Sequence, residues 1–229
     1  MNTDSLIRLG CAPVLMAASV QVLVRVVPRP LGEAPGGIPG ALASEWRRPR
    51  PLTVLVCSLT AAFAGWQLAR PELLDQLARH ADTWSSGRWW QFGTQLLVQD
   101  PWWQTPINLI ALLLVGPTVE RLFGPGRWLL LYLGGAAAGE AVARFWQPDG
   151  AGNSIAVLGL LGGLFGWVLR RFPGPALVAR TMAALGVAAG AVLALVRDIH
   201  GPALLAGVVL GVLAAPRRPV ADRHRPAVG

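Results

Sequence analysis

The chain has 229 residues, 53% of them apolar and only 14% charged, with a formal net charge of +8 carried on arginine alone. Its apolar residues come in long blocks rather than the short periodic patches of a soluble core, which excludes an ordinary soluble enzyme; the lack of strict alternation excludes a membrane β-barrel. The arginines sit scattered at the ends of these blocks instead of on one face, which argues against nucleic acid as the partner.

A hydrocarbon core about 30 Å thick takes roughly 20 residues of helix to cross, and six blocks approach that length, which predicts an all-α membrane protein. Residues 1–27 form an N-terminal apolar segment, in which 9–24 are interrupted by Pro13 and Gln21 and bounded by Arg8 and Arg25. This stretch fits a seventh span, an interfacial helix or a poor signal peptide, and without a basic leader or a cleavage site it reads best as uncleaved. Residues 28–51, rich in Pro, Gly and Arg, read as a linker. The six-helix domain covers 52–215, with spans at about 52–69, 106–119 extending toward Phe123, 128–143, 154–169, 176–196 and 200–215, and a basic tail follows at 216–229. Arginine in place of lysine throughout, beside abundant Ala, Gly and Pro, matches the codon usage of a GC-rich bacterium. Cys11 and Cys57 both lie in apolar segments, so no disulfide framework and no metal site are expected, and no cofactor-binding pattern is present.

Charge orients the bundle. With the linker inside the cell, Arg47, Arg48, Arg50, Arg121, Arg127, Arg170, Arg171, Arg180, Arg217, Arg218, Arg223 and Arg225 all fall on the cytoplasmic side. Only Arg70, Arg79, Arg88, Arg144 and Arg197 fall outside, the bias expected of bacterial spans. Both ends of the six-helix unit then face the cytoplasm, and the basic tail faces anionic lipid.

This orientation collects polar residues. The second, fourth and sixth spans start from the outer side, so Asn108, Ser154 and His200 fall at one depth. Singly, a serine before an apolar run is a helix cap, Asn108 after Pro106 is another, and a histidine at a helix start is an interfacial side chain. Jointly they supply a nucleophile, a base and an amide donor, and a serine beside an imidazole can attack a peptide bond. The hydrogen bond this needs requires close backbones, which small residues permit. Gly207 and Gly211 lie near the His200 face of the last span, and Gly162 lies toward the Ser154 side of the fourth, although ordinary membrane-helix packing also uses glycine freely.

The string from Trp89 to Leu131, then Gly152-Asn153-Ser154, then His200-Gly201 with Gly207 and Gly211, resembles the rhomboid intramembrane serine proteases over roughly residues 50–215. The resemblance implies a six-helix bundle, a Ser154 nucleophile at the start of the fourth span and a His200 base at the start of the sixth. Asn108 matches the asparagine of the family's second span, and the Glu120-Arg121 pair followed by Gly124 also fits. Four positions depart from the family's pattern. Ile155 stands where the family has glycine, Gln104 and Gln99 replace histidines, and Trp90-Gln91 replaces a Trp-Arg pair. Ile155 is expected to crowd the oxyanion pocket, which would consist of the Ser154 N–H, Asn108 and Gln104.

The resulting expectation is an intramembrane serine endopeptidase that cleaves transmembrane proteins near the outer leaflet. The reading from another class is an inactive rhomboid-like protein that binds membrane clients, which Ile155 and Gln104 favour. A transporter is disfavoured by the absence of an inverted repeat. Asp198, two residues before His200, is expected to point elsewhere on a helix, leaving a Ser-His dyad. Glu140, inside the third span, is expected to pair with Arg144 one turn later. The tryptophans Trp84, Trp89, Trp90, Trp102 and Trp103 of the first outer loop suit the lipid interface.

Overall fold

A computed structural model describes residues 3–27, 37–46, 50–171 and 177–215. Its helices, in chain order, are α1 (Thr3–Val26), α2 (Gly37–Trp46), α3 (Pro51–Ala69), α4 (Glu72–Leu77), α5 (Gln91–Thr94), α6 (Gln104–Phe123), α7 (Pro125–Trp146), α8 (Ser154–Arg171), α9 (Leu177–Leu195) and α10 (His200–Ala214). Among the described residues there is no strand beyond a single bridge between Arg79 and Gly150. Helices α1, α3, α6, α8 and α9 are long and apolar enough to cross a membrane; α7 has 22 residues, and α10 is a shorter apolar helix of 15. The fold is an all-α membrane bundle of six helices plus an N-terminal apolar helix.

Two spans run past their apolar limits, and local chemistry shows why. Gly124 adopts φ +78° and returns its N–H to the Glu120 carbonyl, ending α6, and Pro125 starts α7 at once with a φ already suited to a first helical turn. One glycine thus serves as the hinge of an antiparallel pair. Helix α8 is the centre of the bundle, buried along nearly its whole length between α7, α9 and α10. Helix α1 lies along α9 and also meets α6, where Arg121 Nη2 donates to the Val26 carbonyl at 3.2 Å.

The stretch read as a linker contains helix α2. Its Glu45 is 3% exposed and receives Arg121 Nε at 2.8 and 3.1 Å and the Arg50 guanidinium at 3.4 Å. The remainder of that linker, apart from Arg50 and Pro51 at the start of α3, and the basic tail at 216–229 lie outside the described residues.

Glu120, beside Arg121, holds the start of α3. Its carboxylate accepts the N–H groups of Leu52 (3.1 Å) and Thr53 (3.0 Å) and the Thr53 hydroxyl (2.8 Å). A helix beginning at Pro51 has no side-chain cap of its own, so a carboxylate from α6 satisfies its free donors and meets its positive dipole end. Replacing Glu120 with Ala is expected to lower stability by about 1–2 kcal/mol, seen as a fall in the thermal unfolding midpoint in detergent with helical content retained.

Candidate active site

The loop before α8 is fixed from several directions. Gly150 exchanges backbone hydrogen bonds with Arg79 (3.0 Å each way), and the Gly152 N–H bonds to the Gln95 carbonyl at 2.9 Å. Gly152 takes φ +137°, a conformation open to glycine, and a Cβ there would lie 3.2 Å from Gln99 Oε1. Asn153 is fully buried; its Oδ1 accepts from Gln99 Nε2 and its Nδ2 donates to Thr60 Oγ1, both at 3.3 Å. Ser154 follows as the first residue of α8, where the leading N–H groups have no intrahelical acceptor.

Gln99, read from sequence only as a replaced histidine, is the hub of this region. It is fully buried; its backbone N–H and carbonyl pair with the Gln67 amide at 2.9 and 2.7 Å, and its Oε1 accepts from Asn108 Nδ2 at 2.7 Å. Asn108 therefore stands behind Gly152, with its amide directed to Gln99.

The turn before α10 carries the second half of the site. Two residues past the end of α9, Arg197 takes φ +54°; the Arg197 N–H bonds to the Ala194 carbonyl (3.1 Å) and the Asp198 N–H to the Leu193 carbonyl (2.9 Å). This double closure places Asp198 off the end of α9 and just ahead of α10, at a cost of about 1 kcal/mol for a left-handed arginine. The carboxylate Oδ1 accepts the His200 backbone N–H at 2.9 Å and lies 2.6 Å from His200 Nδ1. The expectation that Asp198 points away is thus corrected. It rested on helical geometry between positions 198 and 200, whereas α10 begins only at His200 and Asp198, ahead of it, accepts its first N–H. An aspartate two residues before a histidine at a helix start is the signal that could have revealed this contact.

Across the gap, Ser154 Oγ is 2.8 Å from His200 Nε2. The approach is close because α8 and α10 meet backbone to backbone. A Cβ on Gly162 would lie 2.1 Å from the Leu204 carbonyl oxygen, one on Gly207 2.2 Å from that of Gly159, and one on Gly211 2.4 Å from that of Gly163. Gly201 fits equally tightly against Ala194 of α9, with 2.3 Å from its would-be Cβ to the Ala194 nitrogen.

The serine and histidine open onto a hollow of about 220 Å³, lined also by Arg79, Gln95, Asp100, Gln104, Gln147, Asp149, Gly152 and Ile155, with room for several waters. Gln104 reaches this hollow; Asn108 is not among the residues lining it. Ile155 is accommodated by α7, where a Cβ on Gly139 would lie 3.1 Å from Ile155 Cγ2. The glycine absent after the serine is matched by a glycine on the neighbouring helix.

Glu140 corrects a second expectation. Its partner is the buried Arg79, in a short ion pair, together with Gln95 Nε2 at 2.9 Å. Arg79 also donates to the carbonyls of Pro148 (3.0 Å) and Gln147 (2.7 Å), so the pair clamps the connection between α3 and α6 onto the end of α7. Arg144 instead lies over the Trp84 ring, 5.8 Å from its centre. A neighbour along one helix lost to a partner that closes a loop and satisfies several buried groups at once. Trp89, Trp90, Trp102 and Trp103 are all more than half exposed around this end of the bundle.

Burial would raise the Asp198 carboxyl, but the His200 hydrogen bonds and charge, with the nearby Arg8, outweigh it and hold the group below the ordinary carboxylate range. Because the folded value is the lower one, its contribution to stability is present above the unfolded carboxylate range and is lost as pH falls through the folded value.

Comparison with known proteins agrees with this architecture. A family model described as the Rhomboid domain matches residues 86–217. The chain is 36% identical over 81 residues to rhomboid protease GluP of Bacillus subtilis (strain 168), covering 35% of this chain and 16% of that protein. It is 30% identical over 81 residues to a second rhomboid protein of that strain, YdcA, covering 34% of this chain and 41% of that one. The matched stretch is thus well under two thirds of either relative's length. With a family match over more than half of its residues, laid on a multi-pass helical bundle, the chain belongs to the rhomboid family.

Proposed function

We propose that this protein is an intramembrane serine endopeptidase acting on transmembrane proteins near the outer leaflet, with its C-terminus in the cytoplasm. The observation that carries the reading is the 2.8 Å contact of Ser154 Oγ with His200 Nε2 at the mouths of two helices, beside a polar hollow. His200 Nε2 takes the hydroxyl proton as Ser154 Oγ attacks the substrate carbonyl, and returns it to the leaving amine when the peptide bond breaks. The developing oxyanion lies at the free N–H groups that open α8, with the Gln104 amide on the rim and Asn108 behind Gly152. One such donor contributes about 3 kcal/mol to lowering the barrier. The exposed indoles suit the headgroup zone, from which a substrate helix reaches the hollow sideways.

The test is reconstitution with a model transmembrane substrate and a serine-reactive phosphonate, comparing wild type with Ser154→Ala. The expected result is cleavage and labelling by the wild type, both lost in the variant. Neither cleavage nor labelling by folded wild type would instead support a rhomboid-like protein that binds membrane clients without cutting them, the reading that Ile155 and Gln104 favour.

A further inference from the structure

The far side of the imidazole is occupied. Asp198 Oδ1 lies 2.6 Å from His200 Nδ1, and Asp198 Oδ2 lies 3.4 Å from Arg8 Nε. Arg8 is anchored by Nη2 donating to the Val196 carbonyl at 3.2 Å, on the same turn. It belongs to α1, which lies outside residues 86–217 covered by the family model and is packed along α9. Resting on the protease reading above, we propose that Asp198 is the positioning residue of His200, and that Arg8 makes the N-terminal helix a working part of the site by tempering the Asp198 charge.

The physical case follows from the contacts. An acceptor-only carboxylate beside Nδ1 requires the ring proton on that nitrogen, which leaves the Nε2 lone pair facing Ser154. A second bond from the His200 backbone to the same oxygen fixes the carboxylate relative to the ring. During attack the proton moves from Ser154 Oγ to His200 Nε2. Asp198 stays ionised and stabilises the imidazolium without accepting the proton. Arg8, 39% exposed at its side chain, draws on the same carboxylate from the opposite side and so weakens that stabilisation by a modest, screened amount. The other ionisable groups lining the hollow are Arg79, Asp100 and Asp149, and on α1 Cys11 lies within the field of Asp198. Arg79 is committed to Glu140. Arg8 and Asp198 are therefore the charged pair in line with the imidazole.

Substitutions at two positions of the full chain, in nanodiscs, separate this from a structural role. Asp198→Asn keeps an oxygen to accept the His200 N–H, so the fold is retained, while cleavage and phosphonate labelling fall by about 10²- to 10⁴-fold through kcat with little change in KM. The acid limb of its rate profile moves to lower pH, because the imidazolium has lost its carboxylate. Arg8→Gln changes rates by no more than about fivefold, and its acid limb moves the opposite way, to higher pH; Arg8→Lys restores the wild-type limb. The ring itself is followed by ¹⁵N spectra of histidine-labelled protein, with His200→Gln assigning the signal among His80, His200 and His224. Opposed shifts of the His200 titration in the two variants support the proposal whether or not any substrate is cut. Titrations that superimpose on the wild type, or that shift in the same direction, overturn it. Failure of the protease reading looks different: the wild type neither labels nor cleaves, while the ¹⁵N titrations still part.

Discussion

Replacing His200 with Gln is expected to reduce cleavage and phosphonate labelling by roughly 10⁵-fold, equivalent to about 7 kcal/mol in the barrier. Glutamine can accept a hydrogen bond from Ser154 but cannot take its proton, so the hydroxyl remains a weak nucleophile. The fold is expected to survive. The backbone N–H at position 200 still bonds to Asp198, and the neighbouring Gly201, which sets the approach of α10 to α9, is untouched. Because Ser154 and His200 act as one unit across a 2.8 Å contact, the double variant with Ser154→Ala is expected to be no slower than either single one. Rates of a folded His200→Gln protein within tenfold of wild type would remove the general base from the mechanism, even if Ser154 proved reactive.

The bundle was legible in the sequence because the bilayer leaves the chain few choices. Long apolar blocks must be helices, and alternate helix starts must share a depth, which is why the sequence alone groups Asn108, Ser154 and His200. Local turn geometry was not legible. Helical spacing misplaces Asp198, because the chain there turns through a left-handed Arg197. The i,i+4 spacing visible in the sequence points Glu140 to Arg144, whereas Arg79 arrives from 61 residues away through a loop. Ile155 is obstructive by its own position alone; its tolerance depends on Gly139 on another helix. The part of α1 was hidden for the same reason, since nothing in the string around Arg8 points to residue 198.

The second large effect is expected from a single methyl group. In Gly162→Ala the new Cβ would sit 2.1 Å from the Leu204 carbonyl oxygen and 2.9 Å from the Val208 nitrogen, both backbone atoms that cannot turn aside. Helix α10 must therefore retreat from α8 by about 1 Å to reach ordinary contact, and it cannot pivot freely, because Gly207 and Gly211 are interlocked with Gly159 and Gly163 of α8. Stability is expected to fall by about 1–3 kcal/mol, the usual cost of overpacking. The greater loss is in rate, because His200 is the first residue of α10 and moves with it. Opening a 2.8 Å contact by about 1 Å takes the imidazole out of hydrogen-bond reach, at a cost of about a hundredfold. Gly65→Ala on α3, where a Cβ meets nothing within 4 Å, is the matched control and should behave as wild type. Measured together in detergent, the two variants are expected to share helical content and to differ in both thermal midpoint and cleavage rate. A Gly162→Ala protein as active as the Gly65→Ala control would show that the separation of α8 and α10 does not set the geometry of the serine and the histidine.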